Sequence, residues 1–504
     1  MYQACTTLQG RRACGPALAS PLRSLLFLLP FLLLFLLCLL LAGRPAQAAQ
    51  TLPAEALQAL QRAGVPADAM VVVVHDATSG RSVLHWQEQR PVNPASLMKL
   101  LTTMAALERL GPAFTWATPV WLTGPIKDGV LEGSVFIKGS GDPKLVLERV
   151  WLLLRRVQQH GVREIRGDII LDNSAFAVPE ADAGDFDGEP LRPYNVRPAA
   201  LLLNFRSVTY TFVPDEAAGV ARVAVEPALA GTQTDRTVPL QSGLSSQSGP
   251  CGDWRSALKA SFEPGRTRFA GSYNSACGEL SWPVADPQPG TFEARLIDAL
   301  WREMGGQLQG SVHEGLAPLD LKPSFEQRSP ALAELVRDIN KYSNNVMAQQ
   351  LFYTLALQAR KTGPATLDSA RDTLARWLAE RTGELANEVV LDNGSGLSRQ
   401  TRISALRLAR LLTQNFDSPV MSELMSSLPI SGLDGTLRRA RASVGRAHLK
   451  TGSLRDVAGV AGYVLSNSGR RYVVVAIINH PNAHAARPAL DAVVQWTLRD
   501  APAR

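Results

Sequence analysis

Pro94-Ala95-Ser96-Leu97-Met98-Lys99-Leu100-Leu101 is the stretch on which the reading of this chain turns. Pro94 suits the first turn of a helix, where its missing N–H costs nothing. Leu97, Met98, Leu101, Ala105 and Leu110 continue a helical apolar stripe, and Gly111-Pro112 stops it. Ser96 and Lys99 are three apart, so one helix face carries both. A serine hydroxyl is a weak nucleophile and needs a neighbouring base. Lysine can be that base if burial and nearby cations lower its pKa, and a helix N-terminus adds positive potential beside it. Lys99 lies between Met98 and Leu100, a poor place for an idle charge. By itself S-x-x-K is common, and a decorated helix surface explains it as well.

Two further strings give it context. Ser343-Asn344-Asn345 lies between a predicted helix at Pro330–Ile339 and another at Asn345–Leu357. Such a junction can aim both side chains into a cleft. Ser343 can relay a proton from Lys99 to a leaving group, and Asn345 can hold Lys99 and a substrate amide. Taken alone, helix N-capping by Ser343 or Asn344 accounts for the string. Lys450-Thr451-Gly452-Ser453 falls on a predicted strand. Lys450 and Thr451 offer a charge and a hydroxyl to a carboxylate, and Gly452 clears room for a substrate lying against the backbone. Backbone N–H groups of Ser96 and Ser453 can form an oxyanion hole, each donor typically worth a factor of ~100–1000. Each string has an ordinary explanation; their joint order, S-x-x-K then S-x-N then K-T-G, points to serine acyl-transfer chemistry.

Outward from these strings the pattern is mixed. Strands are predicted at Met70–His75 and Arg81–Trp86, joined by the turn residues Asp76-Ala77-Thr78-Ser79-Gly80. From about Val120 to Gly290 short strand candidates alternate with turns, interrupted by a helix at Lys144–His160. Gln241–Gly252 reads as a Ser/Gly-rich loop. Helical patterns return at Phe292–Met304 and continue to Asn415. Strands at Ala447–Thr451, Val457–Leu465 and Arg471–Ile478 precede a last helix at Pro488–Arg499. This order argues for an α+β core interrupted by β-rich material.

Residues 1–48 read as a targeting segment. Arg11, Arg12 and Arg23 precede an apolar run at Leu25–Leu41, and Ala46-Gln47-Ala48 fits a cleavage site. The run is also near the length of a short membrane span, so an uncleaved anchor is the alternative. Either way the remainder is exported. Cleavage removes four arginines and no acid, taking the formal charge from +7 to +3. No clustered basic stripe remains, which argues against nucleic-acid binding. Cys251 and Cys277 are the two cysteines outside the segment, and in an oxidising compartment they read as one disulfide. No Cys/His spacing suggests a metal site; His480 and His484 flank a Pro-Asn turn.

With these motifs go Gly139-Ser140-Gly141-Asp142-Pro143, Pro193-Tyr194-Asn195-Val196 and Asp392-Asn393-Gly394-Ser395-Gly396-Leu397-Ser398-Arg399. The last reads as a Gly-rich loop near the cleft, with plain turn chemistry as the alternative and no catalytic role. Together with the long gap between Ser96 and Ser343, they make the chain resemble the D-alanyl-D-alanine carboxypeptidase/endopeptidases of the penicillin-binding protein 4 type, the low-molecular-mass class C penicillin-binding proteins. The resemblance implies a transpeptidase/β-lactamase-like core, a five-stranded antiparallel sheet flanked by helices. It divides the chain into a signal at 1–48, a discontinuous catalytic domain at 49–118 and 291–504, and two β-rich inserted domains at 119–290. It implies that Ser96 forms an acyl-enzyme, Lys99 is the base, Ser343 and Asn345 assist proton transfer, and Lys450 and Thr451 bind the carboxylate. The expected substrates are peptidoglycan stem peptides, losing terminal D-Ala or cleaved at D-Ala–diaminopimelate crosslinks. β-Lactams are the expected inhibitors, and no cofactor is needed. The implied location is a Gram-negative periplasm, with peripheral or N-terminal membrane association open. A serine β-lactamase shares the triplet, but the long insert argues against it. A penicillin- or peptidoglycan-sensing protein without turnover is the other alternative, and the intact Lys99, Ser343 and Lys450 weigh against that.

Overall fold

The computed structural model describes residues 51–241, 251–360, 362–383 and 389–500. The targeting segment and most of the Gln241–Gly252 loop lie outside them. Among the described residues no helix is long and apolar enough to cross a membrane.

Four successive valines decide the centre of the molecule. β1 (Met70–Asp76) is buried along nearly its whole length, because helices cover both faces of its sheet. Val71 and Val73 face one apolar cluster, Met70, Val72 and Val74 the other. β2 (Ser82–Trp86) returns antiparallel through a turn that Asp76 stabilises, its carboxylate accepting from the N–H groups of Thr78 and Ser79. The remaining strands come from the far end of the chain: β3 (Ala447–Leu454), β4 (Val457–Leu465) and β5 (Arg471–Asn479). The order is β2-β1-β5-β4-β3 with every pairing antiparallel, as the resemblance implied. β3 is an edge strand.

One face of the sheet is covered by the helix Ala54–Arg62 and the C-terminal helix. The other carries α1 (Met98–Leu110), α2 (Leu332–Tyr342) and α3 (Asn345–Ala359), with the helices Leu367–Thr382 and Ala405–Phe416. A short helix at Met421–Ser427, absent from the sequence reading, packs against α2.

The inserted material forms two β-rich layers on one shared apolar cluster. The first sheet is mixed. Ser134–Lys138, the helix Leu147–Gln159 and the parallel strand Ile169–Asp172 make a β-α-β unit. The second is built on the antiparallel strands Ser207–Asp215 and Val220–Glu226 and carries one parallel pair at its edge. Cys251 and Cys277 are disulfide-bonded at its border. The boundary at residue 290 needs correction. The helix Phe292–Glu303 buries Phe292, Leu296 and Trp301 in the insert's cluster. Val312–Glu314 and Phe325–Arg328 are the two edge strands of its first sheet. Hydrogen bonding and packing therefore carry the insert to Arg328. An amphipathic helix states that it has a buried face, not which core receives it.

Candidate active site

The position of Ser96, the expected nucleophile, is set by an unusual turn. Ala95 is fully buried with φ +47, a left-handed conformation that costs a residue with a Cβ about 1–2 kcal/mol. Asn93 and Asn479 hold it there. The Ala95 N–H donates to Asn93 Oδ1 at 2.8 Å, and Asn479 exchanges two bonds with the Asn93 backbone, at 2.8 and 3.0 Å. Ser96 follows in a 3-10 turn, and the α-helix starts only at Met98. The sequence had placed the helix start at Pro94; the left-handed Ala95 forbids it.

Lys99 is in the first turn of α1 and is 0% exposed. Its Nζ lies 3.1 Å from Ser96 Oγ, 2.6 Å from Asn345 Oδ1 and 2.6 Å from the Ser395 carbonyl. Burial, reinforced by the Lys450 cation, pushes its pKa well below the ordinary lysine value. An uncharged amine has two hydrogens and a lone pair. With the ammonium disfavoured, such an amine can give its hydrogens to Asn345 and Ser395 and turn its lone pair to the Ser96 hydroxyl.

α2 ends at Ser343, which adopts φ +57 and ψ +39. This left-handed residue closes one helix while Asn344 caps the next, its Oδ1 accepting from the Met347 N–H at 3.0 Å. The capping explanation of this string is thus correct for Asn344. It frees Ser343 and Asn345 to face the site. Asn345 also donates from Nδ2 to the Tyr194 carbonyl at 3.3 Å, tying it to the insert.

Lys450 enters from β3, fully buried, and donates to Ser343 Oγ at 2.8 Å and the Thr451 carbonyl at 2.9 Å. Burial lowers its pKa to about 7. A Cβ at Gly452 would meet the Pro94 carbonyl at 2.7 Å and Leu97 Cγ at 3.1 Å. The glycine therefore lets the nucleophile's turn approach the strand, a packing reason beside the substrate clearance read from sequence. Thr451 Oγ1 is 2.8 Å from Thr436 Oγ1, and Ser453 Oγ accepts from Arg487 at 2.8 Å.

All three motifs converge on one cavity of about 630 Å³, whose lining includes Ser96, Ser343, Asn345, Ser453, Tyr342 and Arg399. The insert reaches it through Phe186, Asp187 and Tyr194. Sequence reasoning missed Ser395, because a backbone carbonyl has no residue-type signature. Its loop was singled out as Gly-rich, and that was the available signal: a Cβ at Gly396 would stand 1.9 Å from the Ala95 carbonyl. Thr436 and Arg487 were also missed, lying in a Gly-flanked turn and at a helix start.

Comparison with known proteins follows this geometry. The profile of the D-Ala-D-Ala carboxypeptidase 3 (S13) family matches residues 54–500. A D-alanyl-D-alanine carboxypeptidase of Actinomadura sp. (strain R39) is 26% identical over 450 residues, covering 85% of this chain and 81% of that one. D-alanyl-D-alanine carboxypeptidase DacB of Haemophilus influenzae is 24% identical over 392 residues, covering 76% and 80%. Among solved structures, penicillin binding protein 4 (dacB) of Haemophilus influenzae superposes with a TM-score of 0.69 at 21% identity, covering 87% of this chain and 99% of that one. A second crystal structure of it, complexed with a β-lactam, gives 0.67 at 22% identity and coverages of 88% and 99%. The structures establish the shared fold.

Proposed function

The chain belongs to the D-Ala-D-Ala carboxypeptidase 3 (S13) family, and from that premise we propose how this serine DD-peptidase uses its site. Uncharged Lys99 takes the Ser96 proton as Oγ attacks the carbonyl of the penultimate D-Ala. Backbone N–H groups of Ser96 and Ser453 receive the developing oxyanion. Ser343, held by Lys450, passes its proton to the departing amine as the C–N bond breaks and takes the one on Lys99 in its place, which returns Lys99 to the free amine. The products are a Ser96 ester and a free D-amino acid or crosslink arm. Water then attacks the ester, giving up its proton through Lys99, and the acid leaves. A β-lactam ring opens on Ser96 by the same first step but keeps its amine tethered, which blocks water.

The substrates we assign are peptidoglycan stem peptides ending in D-Ala-D-Ala and D-Ala–diaminopimelate crosslinks. The named activities of the Actinomadura and Haemophilus relatives support this, as does the β-lactam complex of the latter's protein. We place the protein outside the cytoplasm, in a periplasm, on the strength of its N-terminal segment and cell-wall substrate.

The observation that carries the reading is the pair of buried contacts, Lys99 with Ser96 and Lys450 with Ser343. Incubation with radiolabelled penicillin, and with pentapeptide and crosslinked muropeptides analysed by mass, tests it. Wild type is expected to hold a stable adduct and release D-Ala; Ser96→Ala is expected to do neither. Labelling retained in Ser96→Ala refutes the assignment. Rapid penicillin turnover by wild type favours a β-lactamase.

A further inference from the structure

Lys450 is the cation that the sequence assigned to the substrate carboxylate. The structure encloses it completely and engages its Nζ with Ser343 and the Thr451 carbonyl. A carboxylate arriving along the outer rim of β3 therefore needs another positive partner. Residues 429–431 bond that rim at Ala447 and Leu449, and no strand pairs with it beyond Leu449. Thr451 and Ser453 are two apart on it and share one side of the strand.

Arg487 is at that side. It opens α4 (Arg487–Arg499) and donates from Nη2 to Ser453 Oγ at 2.8 Å. A guanidinium has five donors in a planar fork that matches a carboxylate, and the serine uses one. Two other cations around the cleft are committed, and Arg455, which lines the cavity, is the competitor. Lys341 pairs with Asp434 at 2.5 Å. Arg399 pairs with Asp456 at 3.0 Å and stacks on Phe186. Arg455 sits in the β3–β4 turn beyond Leu454.

We propose that Arg487 is a specificity-determining residue, which with the hydroxyls of Thr451 and Ser453 receives the free carboxylate on the leaving D-residue, while Lys450 serves Ser343. This rests on the DD-peptidase reading. Peptides capped as a C-terminal carboxamide should accordingly be discriminated against through Arg487.

The test is a binding measurement in the Ser96→Ala background, so that it does not depend on turnover. An N-acylated L-Lys-D-Ala-D-Ala peptide and its C-terminal carboxamide are titrated by calorimetry against Ser96→Ala alone and combined with Arg487→Ala, Arg487→Lys or Arg455→Ala. Arg487→Ala is expected to weaken the carboxylate peptide about 10–100-fold, as for loss of a charged hydrogen-bonding partner, and to leave the carboxamide unchanged. Arg487→Lys should restore part of the preference, and Arg455→Ala should retain it. The proposal is overturned by equal loss on both peptides, by no loss, by a parent without carboxylate preference, or by loss confined to Arg455→Ala. D-Ala release by the protein with Ser96 intact reports separately on the DD-peptidase reading.

Discussion

Lys99 and Lys450 are the two residues on which the proposed chemistry depends, and each is shifted for the same first reason, burial. Their folded pKa values lie below those of an unfolded lysine. Between the two values the unfolded chain binds more protons, so stability rises with pH across that window and falls as the buried amines are forced to charge. Activity has the same sense: below its lowered pKa Lys99 is an ammonium and cannot take the Ser96 proton. Acylation should therefore climb with pH on a limb that reports Lys99. Lys450 contributes to that position by charge repulsion. Lys450→Met removes the repulsion, so the limb should move to higher pH while the plateau falls roughly 100-fold, as Ser343 loses its partner. The second-order rate of penicillin acylation across pH 5–10 checks this. A limb that stays put means burial alone tunes Lys99.

At the scale of elements, the site is where loops are pressed against a helix start. The Asn393–Ser398 loop is wound so tightly on α1 that Gly394 and Gly396 both take positive φ, +72 and +79. Gly394 and Ser395 give carbonyls to Thr102 and Lys99. A methyl at Gly396 would strike the Ala95 carbonyl, whereas at Gly111, also positive in φ, it would meet nothing within 4 Å. Gly111→Ala should cost about 1–3 kcal/mol from backbone conformation alone, since φ +81 with ψ +151 is a region that almost only glycine enters, with acylation unchanged. Gly396→Ala should cost more and slow acylation at least roughly 10-fold, because the clash moves the turn that aims Ser96. Thermal melting and penicillin labelling of the two variants, compared side by side, separate these outcomes. Equal labelling rates would show that the loop does not position the nucleophile. The α2–α3 junction works similarly: one left-handed residue and one cap deliver two side chains to the cleft.

At the scale of the molecule, the insert is docked on the catalytic unit through Phe176 and Ala200, which join that unit's apolar cluster, and Gly139-Ser140-Gly141-Asp142 packs against both. Cβ atoms at Gly139 and Gly141 would collide with the Ala200 backbone and the Phe176 ring. Lys144 reaches Asp338 on α2 at 2.5 Å. Gln350 on α3 exchanges two hydrogen bonds with the Ala199 backbone. Asp142 is 3% exposed, and burial raises its pKa to about 6, although its Oδ1 accepts from the Lys144 N–H. The folded protein thus holds a proton that the unfolded chain releases between about pH 4 and 6, and stability falls as pH rises through that window. Asn keeps the Oδ1 acceptor without the buried charge. Asp142→Asn is expected to gain up to about 3 kcal/mol at pH 7.5 and nothing at pH 4. Melting temperatures at the two pH values decide it; a loss at pH 7.5 would mean that attraction from Arg149 and Lys144 outweighs burial.

What the sequence by itself determined is the chemistry and the local frame. Ser96, Lys99, Ser343, Asn345 and Lys450 are legible because the roles proposed for them, nucleophile, base and relay, require particular side chains at fixed local spacings. The core strands are legible because a strand covered on both faces must be apolar throughout, as Met70–Val74 and Val457–Val464 are. Tertiary structure alone decided which groups stand outside those spacings. The Ser395 carbonyl, the Asn93–Asn479 bracket, Thr436, Arg487 and the reach of the insert to Arg328 depend on segments from 15 to 386 residues apart meeting in space. The physical reason is that backbone acceptors and close approaches belong to the folded path of the chain, and a one-dimensional pattern records residue types and periodicity but not which surfaces are brought together.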